Sequence, residues 1–219
     1  LQPQDLIAPI SATLAQLLPL SAVLRTWGQA SLARRWIAIW FLIFFISDLC
    51  QIAILLTRGP NLWFFSYIEP VEDSVLLWAL SYWQPRPVMR LAVRVSIPLF
   101  IGTIVGITIL AGETTTFGTF SGPFRSVVLM ACTAYTLIAN LNDSPERVWE
   151  KDWLWTTLGI LLYFGLLAAT DPILAAMGRS DLQSMRRVHM VRDVGDIIAF
   201  LLVWRGMRCP IPKSSSGST

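Results

Sequence analysis

Apolar residues fall into seven blocks, at roughly 6–24, 36–56, 62–83, 91–111, 124–141, 153–174 and 187–206, with most charged residues between them. A helix needs ~20 mostly apolar residues to cross hydrocarbon, so the pattern predicts seven spanning helices. The first block differs from a signal peptide, which carries its positive charge ahead of the apolar run. Here Asp5 precedes the run and Arg25 follows it. It reads as a first span, with Pro9 and Pro19 near its ends. The sequence begins at Leu1 and not at methionine, so residues are expected upstream.

Local signals sharpen the boundaries. "NDSPERVW" places Asp143 or Ser144 at an N-cap with Pro145 next, which predicts the start of the sixth helix. "SDLQ" at 180–183 is a capping-box pattern ahead of the seventh. Gly102 and Gly106 form a small-xxx-small pair on the fourth, a spacing that permits close helix packing. Trp63, Trp78, Trp83, Trp149, Trp153, Trp155 and Trp204 lie mostly near predicted interfaces.

Composition supports a membrane protein. The 219 residues are 54% hydrophobic and 14% charged, with mean hydropathy +0.58, too little charge to cover a soluble domain of this length. The net charge of +3 comes from arginines scattered at segment ends, without the basic block that nucleic acid would require. Cys50, Cys132 and Cys209 have no paired spacing, so neither a disulfide framework nor a zinc site is expected, and Cys209 reads as a free thiol. The organisation is one seven-helix transmembrane domain over 1–208 and a disordered cytoplasmic tail over 209–219.

Basic residues predict the orientation. Arg25, Arg34, Arg35, Arg86, Arg90, Arg94, Arg147, Lys151, Arg205, Arg208 and Lys213 fall on one side. Arg58, Arg125, Arg179, Arg186, Arg187 and Arg192 fall on the other. Eleven against six puts the amino terminus outside and the carboxyl terminus inside.

The blocks are not uniformly apolar. The second carries Asp48 and Gln51, the third Glu69, Glu72 and Asp73, and the seventh His189, Arg192, Asp193 and Asp196. At 100° per residue, each set on the third and seventh helices makes a stripe. With the predicted orientation, Asp48, Glu72, Asp73 and Asp196 sit near mid-membrane. Glu69, Asp193 and Gln51 lie about one turn outward, and His189 lies at the outer rim. The expected result is an outward-facing acidic cavity lined by the second, third and seventh helices, with Arg192 as its one cation. Burial and like charge then require that some acids be protonated, hydrated or bound to an external cation. The alternative is that these acids bond backbone freed by Pro70 or merely tie helices together.

Four resemblances bear on function. Seven helices with a polar core resemble microbial rhodopsins, which bind retinal through a lysine on the last helix. The last apolar block here has none, and neither Lys151 nor Lys213 lies mid-membrane, so a retinal protein is excluded. The seven-helix hydrolases that include ceramidases build a zinc site from several histidines. Here His189 is the single histidine, Asp193 stands where a His-x3-His pair would end, and Gln51 stands in "SDLCQ", so no metal or other cofactor is expected. "PVED", Pro70 to Asp73, is similar to the Pro-x-Glu-Glu/Asp element of membrane lycopene cyclases, which implies Glu72 or Asp73 as a general acid toward a lipid or isoprenoid. Finally "SYIE", "WLWTTLGILLYFG" and "VHMVRD" resemble a loosely defined group of small bacterial seven-helix membrane proteins, relatives of which serve as input modules of signalling proteins. That resemblance implies a bacterial inner-membrane location, although no output domain follows Arg208 in this sequence.

The expected function is a receptor-like or sensory membrane protein whose cavity takes a small cationic or polar ligand, or protons. It would sit in the lipid bilayer and pass its signal to a partner or to a second copy. An acid-catalysing membrane enzyme is the first alternative. Proton or cation transport is the second, set against the apolar runs "WIAIWFLIFF" and "AFLLVW".

Overall fold

The computed structural model describes residues 4–58, 62–113, 119–143, 147–177 and 182–210. They are helical throughout, with no strand among them. The helices are α1 (Gln4–Ala15), α2 (Leu17–Leu24), α3 (Leu32–Arg58), α4 (Leu62–Ser81), α5 (Pro87–Leu110), α6 (Ser121–Asp143), α7 (Asp152–Met177) and α8 (Leu182–Met207), with a 3-10 turn at Val148–Glu150. α1 and α2 together occupy one place in the bundle. Seven places follow in chain order, each packing on the next, and α8 closes the ring against α1 and α2.

Four helices are long and apolar enough to cross a membrane: Leu32–Ile54, Pro87–Leu110, Ser121–Asp143 and Asp152–Leu174. Specific residues explain why the other three places differ. The first is divided at Gln16, one turn before Pro19. Proline has no N–H to give Ala15, and its ring crowds the Ala15 carbonyl, so the helix cannot run through. α4 carries Glu69, Glu72 and Asp73, and α8 carries six charged residues between Arg186 and Arg205.

The boundaries show local chemistry at work. α5 starts at Pro87, as suits a residue with fixed φ and no N–H, four residues before the expected 91. It ends in a Schellman motif. Gly112 is left-handed (φ 67°), its N–H donates to the Ile109 carbonyl, and the Glu113 N–H donates to that of Thr108 at 2.9 Å. The start of α7 departs from the expected cap. Arg147 is left-handed at φ 49°, which breaks the run, and the helix begins at Asp152, whose carboxylate accepts from the Trp153 N–H at 2.9 Å. Residues 144–146 of the expected N-cap lie outside the described residues, as do Ser180 and Asp181 of the capping box and 211–219 of the tail. α3 begins at Leu32, so Arg34 is helical and nearly fully buried. It donates through Nε to Asp152 Oδ2 at 2.7 Å, joining the starts of α3 and α7.

Close approach between helices occurs where α7 meets α8. A side chain at Gly159 would collide with the Ala199 carbonyl, and one at Gly206 with Thr156 and the Asp152 carbonyl. Gly102 and Gly106, expected to serve close packing, have nothing near them and face away from the bundle.

The exterior is apolar. Leu42, Ile46 and Leu49 of α3, Leu91, Val95 and Leu99 of α5, and Val191, Val194 and Ile198 of α8 are all exposed. The interior has two parts. One is a dry cluster in which Trp40, Phe41, Leu76, Leu80, Ile160, Phe164, Leu167 and Phe200 are buried. The other is polar and holds the cavity described next.

Candidate functional site

A cavity of about 430 Å³ lies within the ring. Its wall contains Asp48 and Gln51 from α3, Glu69 and Glu72 from α4, and His189, Arg192, Asp193 and Asp196 from α8. Eight of the nine residues expected to meet therefore share one space. Asp73, the ninth, is not on the wall. It lies buried, with its Oδ2 3.4 Å from Arg125 Nε. The wall is also wider than three helices, since Thr13, Gln16, Thr108, Arg125, Tyr163 and Asp171 belong to it.

Arg125 is the largest departure from the sequence reading. The expected fifth block boundary left it at the aqueous edge of a helix starting at 124. α6 in fact begins at Ser121, which carries Arg125 one turn into the bundle, where it is buried. Its Nη1 meets Glu69 Oε2 at 2.5 Å and its Nε faces Asp73 Oδ2 at 3.4 Å. Glu69 and Asp73 are four residues apart and so share one face of α4, presenting two carboxylates to one guanidinium. The start of α6 is fixed by Glu113, a buried residue to which no role was assigned from sequence. Its Oε1 and Oε2 accept from the N–H groups of Phe120 and Ser121 at 2.6 and 3.1 Å, meeting two of the free donors at a helix start.

A second cluster also lines the cavity. Arg192 Nη1 donates to Asp171 Oδ1 at 3.1 Å, joining α8 to α7. Asp171 had no role from sequence, because one acid near the end of an apolar block gives no pattern. Asp48 is held from the interrupted first place: Gln16 Nε2 donates to its Oδ2 at 2.6 Å and Thr13 Oγ1 at 3.2 Å.

Pairing thus accounts for both guanidinium groups of the wall. Asp48, Glu72, Asp193 and Asp196 carry no salt bridge to an arginine or lysine among the described residues. Glu72 and Asp196 are each 8% exposed, and Glu72 Oε1 and Asp196 Oδ1 have no protein hydrogen-bond partner there. The same holds for Gln16 Oε1, at 2%. Among the described residues no three His, Cys, Asp or Glu side chains come together as a metal-ligand set.

The other wall is aromatic. Phe44, Tyr163 and Phe200 line the cavity and contact one another, with ring centroids 5.6 Å (Phe44–Tyr163), 5.7 Å (Tyr163–Phe200) and 6.0 Å (Phe44–Phe200) apart. Trp40 and Phe41 pack against these rings on the side of the dry cluster. The site therefore joins carboxyl groups with an apolar floor, the combination that orients a small amphiphilic molecule.

No protein family, no curated protein and no solved structure matches the chain. Function has to be argued from the site itself.

Proposed function

We propose that the chain is an integral membrane protein of seven spans, amino terminus outside and carboxyl terminus inside, and that it acts as a receptor-like binder of a small polar or cationic ligand or of protons. The observation that carries this reading is the pair Glu72 and Asp196, buried on one cavity wall with free carboxyl oxygens after Arg125 and Arg192 have each been engaged elsewhere. Buried carboxylates without counter-charge are costly and mark functional sites in membrane spans.

The apolar exterior supports a lipid surround. Arg94, Arg125 and Arg192 sit inside the bundle's own contacts, Arg94 lying 4.5 Å over the Trp78 ring. Setting these three aside, together with Arg34, which is buried against Asp152, leaves nine flanking basic residues against four, a stronger bias toward the proposed orientation than eleven against six. Resemblance to small bacterial seven-helix proteins extends the proposal to a bacterial inner membrane. The aromatic layer of Trp40, Phe41, Phe44 and Phe200 beside the cavity favours binding over transport along that side. α7 and α8, which carry Asp171 and Arg192 at one end and close packing at Gly159 and Gly206 further along, are the elements suited to report occupancy to a partner.

The test is a thermal-stability screen of the purified protein in nanodiscs against small polar and cationic compounds and across pH. A stabilising response that Glu72→Gln or Asp196→Asn abolishes is expected. A wild-type protein indifferent to every compound and to pH overturns the proposal.

A further inference from the structure

We infer that the ligand's head is a protonated primary amine on an apolar or aromatic body, an inference resting on the binding reading above. The cavity wall holds four side chains more than nine-tenths buried with an atom that makes no protein hydrogen bond among the described residues: Gln16 Oε1, Glu72 Oε1, Asp196 Oδ1 and Arg125 Nε. The first three are acceptors from different places in the bundle, and the fourth, a donor, is turned to Asp73 Oδ2 at 3.4 Å. The Gln16 amide nitrogen is committed to Asp48 at 2.6 Å, which leaves its oxygen without a donor. Both guanidinium groups of the wall already face carboxylates: Arg125 pairs with Glu69 and lies 3.4 Å from Asp73, and Arg192 Nη1 donates to Asp171 at 3.1 Å.

A molecule that satisfies this wall brings donors, and two carboxyl groups ask that it bring positive charge as well. An ammonium head supplies three N–H donors and one charge in a compact group. A quaternary ammonium has the charge but no donor, and an alcohol has the donor but no charge. A metal ion fits poorly, since no three ligating side chains converge among the described residues. The remaining wall sets the body: Phe44, Tyr163, Phe200, Ile104 and Leu174 offer apolar contact, and the ring faces attract a cation lying beside them. The volume of about 430 Å³ suits a small amphiphile.

Calorimetric titration of the full chain in nanodiscs tests this with tryptamine, 2-phenylethylamine and n-butylamine against 2-phenylethanol and trimethyl(2-phenylethyl)ammonium, with 2-phenylacetate and glucose as polar non-cations. At least one primary amine is expected to bind saturably. The trimethyl analogue, which brings no N–H donor, should bind at least about tenfold more weakly, and the alcohol not at all. Asp196→Asn and Glu72→Gln should abolish amine binding. Where a variant fails to fold, the wild-type series decides alone. Binding of the alcohol or the trimethyl analogue as tight as the amine overturns the inference. Binding of 2-phenylacetate or glucose with no amine bound overturns it and leaves the binding reading standing. If no probe binds and the broader stability screen is also silent, both fall.

Discussion

Arg125 on α6 and Glu69 on α4 meet at 2.5 Å inside the bundle, and Asp73 closes on the same guanidinium from the other side. The pair ties two helices that are not neighbours in sequence, across the space beside α5. Removing the cation leaves two carboxylates in the interior with nothing to balance them.

Arg125→Met is therefore expected to destabilise the protein by about 3 kcal/mol or more, as for other buried pairs that lose one partner. Thermal denaturation in nanodiscs measures this. Adding Glu69→Gln and Asp73→Asn to Arg125→Met should restore most of the loss, whereas a side chain that served only as packing would show no rescue.

Gly159→Val and Gly206→Val place side chains against Ala199, Thr156 and the Asp152 carbonyl and are expected to cost about 1–3 kcal/mol each by overpacking. Gly102→Val and Gly106→Val, which enter open space, are expected to leave the melting temperature of the monomer unchanged. Equal effects at the two pairs of sites would contradict the α7–α8 contact.

For orientation, Arg86→Cys and Phe120→Cys in a background with Cys50, Cys132 and Cys209 replaced by serine give opposite expectations. Both positions are exposed, one before α5 and the other after it. A membrane-impermeant maleimide applied to intact cells should label position 120 and leave position 86 unlabelled until the membrane is opened. The reverse pattern inverts the topology.

Burial pushes the Cys209 thiol up, with the Arg34 charge opposing weakly; the group is 9% exposed and its S–H donates to the Arg205 carbonyl at 3.6 Å. Because the folded value lies above that of a free thiol, about 8.5, the thiolate is scarcer in the folded chain at any pH near 8. The associated stabilisation is present below that pH and fades as pH rises through the folded value. In a background without Cys50 and Cys132, alkylation of Cys209 at pH 8 should be several-fold slower folded than in denaturant, with the gap narrowing at higher pH. Equal rates would show an open thiol.

The seven apolar blocks were legible because each is a long run with charges at its ends, and because two helical stripes of acids stand out against such runs. Arg125 was not, since its role depends on a helix start three residues earlier than the apolar pattern shows, and that start is set by Glu113 from a preceding loop. Arg34 falls outside the expected block at 36–56 for the same reason, because α3 begins four residues ahead of its apolar run. Asp171 and Gln16 gave no periodic signal: each is a single polar position whose partner, Arg192 or Asp48, lies on a different helix. The division at Gln16 was implicit in Pro19, but a proline near the end of a block is also compatible with an unbroken helix. Partners far apart in sequence are what a single chain's pattern hides.

The chain-order ring has a consequence for biogenesis. Every helix can settle against the one made just before it, and α8 must in addition find α1 and α2, the oldest segments. Since His189, Arg192, Asp193 and Asp196 arrive together on that segment, a ribosome that has not yet released α8 has produced a scaffold with a missing stave. Severing the connection between α7 and α8 and supplying the two fragments separately should accordingly yield assembly on mixing, with recognition of small molecules appearing only when the second fragment docks.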